Sequence, residues 1–124
     1  MLLVDDEAPE REALSFILEG YHAVVTAVAS AEEAMEELDR SPPDVLVSDI
    51  AMPGEDGYVL IRKIRARGPE HGGGIPAAAI TGQAGEANRH LALLAGFQVH
   101  LPKPFSAADL AAIVRSLIAS RHVA

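Results

Sequence analysis

Two adjacent acids, Asp5 and Asp6, follow the short apolar run Met1-Leu2-Leu3-Val4, and a third, Asp49, closes the run that begins at Val45. Thr81 ends the small apolar stretch from Ile75, and Lys103 comes just after Gln98 to Leu101. Runs of this kind, aliphatic and without polar alternation, read as strands buried on both faces, the habit of parallel sheets. Ligands bind such sheets just beyond the carboxyl ends of the strands, where these side chains would converge. Singly, each has an ordinary explanation as a helix cap or a solvated turn. Four strand ends of this kind in one short chain point to chemistry instead.

Three carboxylates held close repel one another, so without a counter-ion one of them takes a raised pKa or the site is strained. A divalent cation resolves the conflict. Oxygen donors with no His or Cys nearby suit Mg²⁺, a hard ion that keeps several waters. Three acids, Mg²⁺ and Lys103 then sum to zero charge. Such a site can hold a phosphoryl group: Asp49 attacks phosphorus in line, Mg²⁺ and Lys103 draw off negative charge, and the Thr81 hydroxyl bonds a phosphoryl oxygen. Esterification removes the charge of Asp49 while the phosphoryl group brings about −2, which would draw a nearby hydroxyl and ammonium inward.

The elements that must place these residues are legible along the chain. Strands are expected over Met1–Val4, His22–Val28, Asp44–Asp49, Ile75–Thr81 and Gln98–Leu101. Between them, Pro9 and the acids Glu10 and Glu12 open a first helix from Ala8 to Glu19, with Leu14, Ile17, Leu18 and Tyr21 on one stripe, Phe16 off it, and Gly20 as the stop. Ser30 with Glu33 and Ser106 with Asp109 form capping boxes for the second and fifth helices. The inner faces are expected to carry Ala34, Met35 and Leu38 in the second, and Leu110, Ile113, Val114, Leu117 and Ile118 in the fifth. Tyr58, Leu60, Ile61 and Ile64 mark a third helix ending near Gly68, and Ala84, Ala87, Leu91, Leu94 and Ala95 a fourth stopped by Gly96. Pro69 to Gly74 reads as a flexible loop whose glycines are tolerated length. Strands alternating with helices imply an α/β fold, a five-stranded parallel sheet doubly wound through right-handed crossovers.

Composition narrows the function. The 124 residues are 49% hydrophobic, enough for one domain with a core, and the net charge of −8 argues against a surface that grips nucleic acid. The one dense basic segment, Arg62 to Arg67, has helical spacing and reads as a solvated face. No cysteine is present, and the five histidines, His22, His71, His90, His100 and His122, lack metal-ligand spacing, so no transition metal is expected. With no membrane-length apolar run and no signal-peptide pattern, the expectation is a soluble, cytoplasmic domain without membrane contact of its own.

Taken together, these residues resemble the response-regulator receiver domain of two-component signalling over essentially the whole chain, residues 1–124 as a single domain. Asp5-Asp6 matches the acidic pair, the run from Asp49 through Pro53 to Asp56-Gly57 the phosphorylation-site loop, Thr81 the switch hydroxyl, and Lys103-Pro104 the lysine and cis-proline turn. The resemblance implies a flavodoxin-like sheet in strand order 2-1-3-4-5. It implies that Asp49 accepts phosphate from a histidine kinase or histidine phosphotransfer domain, that Asp6, Asp49 and the backbone carbonyl of Ala51 bind Mg²⁺ (or Mn²⁺), and that Asp5 acts mainly through water. Phosphorylation then shifts the surface built from the fourth and fifth strands and helices, and the domain is a switch and not a turnover enzyme. Ala51 and Gln83 fall at positions that tune phosphoryl lifetime in the family. His100 stands where the family often has Tyr or Phe, so it is either a swinging, pH-sensitive switch residue or a buried, immobile one. Phe16 lies next to the expected phosphotransfer face and is a candidate kinase contact.

The wording from Asp49 to Tyr58 looks most like receivers attached to hybrid sensor kinases, and the abrupt start agrees with a piece cut from a larger, membrane-anchored parent. The alternative is a stand-alone regulator; in either case output passes through contact with a partner the sequence does not name. An aspartyl-phosphate hydrolase of the haloacid-dehalogenase type would want an acid where Ala51 stands. A nucleotide-binding module would want its glycines before a helix, whereas Gly72-Gly73-Gly74 precedes a strand.

Overall fold

The computed structural model describes residues 1–82 and 85–121, without the side chains of Glu86 and Arg121. Strands β1 (Leu2–Val4), β2 (Thr26–Val28), β3 (Leu46–Asp49), β4 (Ala77–Thr81) and β5 (Val99–Pro102) alternate with helices α1 (Ala8–Gly20), α2 (Ala31–Arg40), α3 (Gly57–Arg65), α4 (Glu86–Ala95) and α5 (Ala107–Arg121). Every strand pair is parallel, and the sheet order is β2-β1-β3-β4-β5, as the resemblance implies. Successive strand residues point to opposite faces and so feed two cores. Leu2, Val4 and Leu46 meet Leu38, Ile61 and Ile64 on one side, while Leu3, Val47 and Ile80 meet Leu18, Leu110 and Val114 on the other.

Both serines cap their helices, and Asp109 completes its box by accepting the Ser106 amide, whereas Glu33 accepts the Ala29 amide in place of that of Ser30. The Glu33 amide donates to Ser30 Oγ at 3.1 Å, and the Asp109 amide to Ser106 Oγ at 3.0 Å. Helix α3 has a cap of its own in Asp56, whose carboxylate accepts the Val59 amide at 3.0 Å. These contacts satisfy amides that a helix start leaves without partners.

Four expectations need correction. Strand β2 starts at Thr26 and not at His22, because the amides of Tyr21, His22 and Ala23 turn back onto the carbonyls of Leu18 and Glu19, with His22 at φ 69. Tyr21 accordingly leaves the helix stripe and is exposed. Helix α3 ends at Arg65, three residues before Gly68, and Arg65 is not part of a solvated face. Its guanidinium is half buried and donates to the carbonyls of Gly96 (2.9 Å), Gly73 (2.9 Å) and Ile75 (2.6 Å) and to Gln98 Oε1 (3.0 Å).

That clamp also orders the segment read as a flexible loop. Pro69–His71 forms a 3₁₀ turn, and Gly73 packs so tightly that a Cβ there would overlap the Arg67 carbonyl oxygen. The fourth correction is the face of α4. Ala92 and Ala95 are buried, whereas Leu91 and Leu94 point outward at 50% and 71% exposure. Spacings of three and four residues fit either face. Phe97 decides between them: its amide bonds the Ala92 carbonyl, and its buried ring fixes the roll of the helix with the alanines against the sheet. Ala84 lies outside the described residues.

Replacing Arg65 with Met keeps much of the packing and strips the donors from three backbone carbonyls. Urea unfolding is expected to show a loss of about 1–3 kcal/mol; an unchanged midpoint would show that the clamp carries no stability.

Candidate functional site

Strand register sets the polar residues in a row. Val4 of β1 lies opposite Ser48 of β3, so Asp5 leaves the sheet beside Asp49. Asp49 lies opposite Ile80 and Thr81 opposite Pro102, which carries Thr81 and then Lys103 to the same edge. The Lys103 amide donates to the Thr81 carbonyl at 2.8 Å, extending the ladder one step past β5. One carboxylate oxygen from each of Asp5, Asp6 and Asp49 lies within 4.8 Å of the other two. Asp5, Asp49 and Thr81 are buried, at 1%, 6% and 6% exposure.

Few hydrogen bonds soften this concentration of charge. Asp5 Oδ1 accepts the Glu7 amide at 3.0 Å, while Asp5 Oδ2 and Asp6 Oδ1 are buried with no hydrogen-bond partner. Burial, reinforced by the charges of Glu10 and Asp49, pushes the Asp5 carboxyl up from 3.8 to about 6 against the opposing pull of the Glu7 amide and Lys103. Burial likewise raises Asp49, although Lys103 and the amides of Ile50 and Ala51 favour its charged form. For Lys103, burial alone would lower the pKa, but the hydrogen bond it donates to Glu10 and the charges of Asp49, Glu10 and Asp5 outweigh it and hold the ammonium above its usual range. An all-oxygen donor set with orphaned buried oxygens has the chemistry of a hard divalent cation site.

The other residues singled out in the sequence fall as follows. The Lys103-Pro104 bond is cis. Ala51 is exposed in the turn after β3, where it lines an open groove of about 610 Å³ with Ile50, Asp56, Tyr58, Thr81, Gly82, Asn88 and Leu91. His100 sits on β5 opposite Ala79 and is partly buried. Phe16 projects from α1 at 80% exposure. Gln83 and His122 lie outside the described residues.

One residue at the site escaped the sequence reading. Glu10, taken there only as an acid suited to a helix start, places Oε1 2.5 Å from Lys103 Nζ, closer than Asp49 Oδ2 at 3.7 Å. The legible signal was an acid in the first turn of the helix that follows the acidic pair. Arg11 beside it donates to the Asp5 carbonyl at 2.8 Å and ties that turn to the site.

A family model of the response regulator receiver domain matches residues 1–115. The chain belongs to that family. Receivers of two-component signalling are phosphorylation switches and not classical enzymes, and both phosphorylation and Mg²⁺ are characteristic of the family. Receivers interact with histidine kinases or phosphotransfer proteins. The 14.6 kDa protein from the sodA1 3′ region of Leptolyngbya boryana is 41% identical over 115 residues, 93% of this receiver and 86% of that protein. The response regulator MprA of Mycobacterium leprae (strain TN) is 35% identical over 120 residues, 95% of this chain and 50% of its own. The chain spans about half the length of this and other longer response regulators that it matches. Among solved structures, the receiver domain of the sensor histidine kinase PA1611 from Pseudomonas aeruginosa PAO1, which has magnesium coordinated in its active-site cleft, is 33% identical with a TM-score of 0.86, covering 95% of each chain. No helix among the described residues is long and apolar enough to cross a membrane.

The raised pKa of Asp5 has a sign that can be measured. Its folded value of about 6 lies above its ordinary 3.8, so between those values the folded receiver holds the extra proton. Its contribution to metal-free stability is therefore largest below pH of about 4 and is lost as pH rises toward about 6. Urea midpoints compared across that window should show the Asp5→Asn variant gaining on wild type as pH rises. A pH-independent difference between the two would count against a strained Asp5.

Proposed function

We propose that residues 1–124 form one receiver domain in which Asp49 accepts a phosphoryl group from a phosphohistidine on a histidine kinase or histidine phosphotransfer domain. The observation that carries this reading is the meeting of the Asp5, Asp6 and Asp49 carboxylates within 4.8 Å, with the Lys103 ammonium 3.7 Å from Asp49. In this reading Asp6, Asp49 and the Ala51 carbonyl hold Mg²⁺ or Mn²⁺, and Asp5 acts through water. The orphaned oxygens of Asp5 and Asp6 support it, because a cation would satisfy them. When bound, the ion supplies neutralisation of phosphoryl oxygen charge.

This chain's own groups do the rest. An Asp49 oxygen attacks phosphorus in line with the P–N bond, which breaks as the P–O bond forms, and the imidazole leaves with the electron pair. Lys103 takes up negative charge on the phosphoryl oxygens, and the Thr81 hydroxyl donates to one of them. The groove past Ala51 and Thr81 leaves the site open to a donor side chain. Ala51 and Gln83 then influence how long the acyl phosphate lasts, and His100 on β5 responds to the inward movement of Thr81. The outward leucines of α4, Leu91 and Leu94, support an output surface made by α4, β5 and α5, which an effector reaches by contact. Exposed Phe16 supports a kinase contact on α1.

The parent is read as a hybrid sensor kinase, in keeping with the 33% identity to a kinase-attached receiver, with this domain on the cytoplasmic side. A stand-alone regulator is the second reading, favoured by the 14.6 kDa relative that the chain covers over 86% of its length. The parent open reading frame distinguishes them.

With Mg²⁺ and acetyl phosphate, intact mass should show the addition of one phosphoryl group, absent in Asp49→Asn and in excess chelator. No adduct on the wild-type protein would overturn the assignment. Lys103→Ala should retain Mg²⁺ binding by calorimetry yet fail to show the backbone NMR shifts in α4 and β5 that beryllofluoride produces in wild type. Unaltered shifts would remove Lys103 from the switch.

A further inference from the structure

We infer that Glu10 is a resting-state latch on Lys103, a positioning residue that competes with the phosphoryl site for the ammonium until an arriving phosphoryl oxygen displaces it. The inference rests on the phosphoacceptor reading of Asp49. Two anions lie within reach of Lys103 Nζ, and Glu10 has it at 2.5 Å while Asp49 stands at 3.7 Å. The pair is sheltered, with side-chain exposures of 31% for Lys103 and 24% for Glu10, so water screens it less than an open surface pair. Its placement is built in. Helix α1 begins at Ala8, two residues after the acidic pair, with Pro9 in its first turn, and the bond from Arg11 to the Asp5 carbonyl fixes that turn against the site.

Charge gives the latch its direction. Counting Glu10, the site holds four carboxylates, and with Mg²⁺ and Lys103 it carries one net negative charge where three acids alone would have given zero. Replacing the charge of Asp49 by a phosphoryl group of about −2 leaves a net of about −2. Glu10 therefore opposes uptake twice, by repelling the incoming group and by competing for the cation that group needs. Only the competition acts through Lys103, and that distinguishes a latch from a bystander charge.

The full chain, with Glu10→Gln, Glu10→Asp and Lys103→Ala singly and with Glu10→Gln combined with Lys103→Ala, tests this with acetyl phosphate as donor, so that no kinase contact on α1 intervenes. Glu10→Gln should raise the rate of phosphoryl uptake about two- to fivefold, the size expected of a partly exposed ion pair. Glu10→Asp, one methylene too short to hold the ammonium, should follow Gln. The Lys103 Nζ resonance in ¹⁵N NMR should move in both. Most of the gain should vanish when Lys103 is already Ala. Unchanged or slower uptake in Glu10→Gln, or an equal gain in the Lys103→Ala background, would overturn the latch while the phosphoacceptor reading stood. Absence of any adduct on wild type would instead bring down the Asp49 assignment and the latch with it.

Discussion

Carboxylates crowded at the end of a sheet repel one another, and the functional edge of this receiver is organised around that repulsion. Asp5, Asp6 and Asp49 are brought within 4.8 Å and largely removed from water, with Lys103 as the cation in direct ion pairs there. Such an arrangement does not arise for stability's sake, since buried charge without full compensation opposes folding. It persists because hydrophobic packing beneath it, on two faces of the sheet, is strong enough to hold the strand ends in place. The stored mismatch leaves the site receptive to positive charge and sensitive to any change in negative charge, as a switch thrown by phosphate requires.

Backbone geometry converts that tension into position. After Asp49 the chain folds back so closely that the Gly57 amide bonds the Ile50 carbonyl at 2.9 Å. A Cβ on Gly57 would come 2.5 Å from the Asp49 carbonyl oxygen, so the return is open to glycine alone. Asp56 then caps α3 and starts it at the site's rim. At the far end of α3, Arg65 binds the carbonyls that lead into β4 and β5, so the strand that delivers Thr81 and the strand that delivers Lys103 are braced by one side chain.

Beyond the site, α4 lies on the sheet through Ala92 and Ala95, small side chains that offer little interdigitation. A helix seated on alanines resists sliding less than one keyed by large residues. Its larger side chains, Leu91 and Leu94, face outward, and Leu91 lines the same groove as Thr81. A displacement at Thr81 thus has a short physical route to an apolar exposed surface.

Strand and helix types, the order of the elements and the acids, threonine and lysine of the site were legible because each depends on local pattern. Buried parallel strands announce themselves as unbroken apolar runs, and serine caps such as Ser30 with Glu33 are written within four residues. Apart from the late start of β2, which a local turn at Tyr21 to Ala23 sets, the misreadings share one cause. The outward face of α4, the clamp by Arg65 and the pairing of Glu10 with Lys103 all depend on contacts between residues far apart in the chain, and periodicity carries no information about them. The sequence by itself determined which groups are available and which ends of the strands bear them. Only the tertiary structure decided which anion Lys103 holds, because that choice is a matter of distance in space, where Coulomb attraction and desolvation act, and not of spacing along the chain.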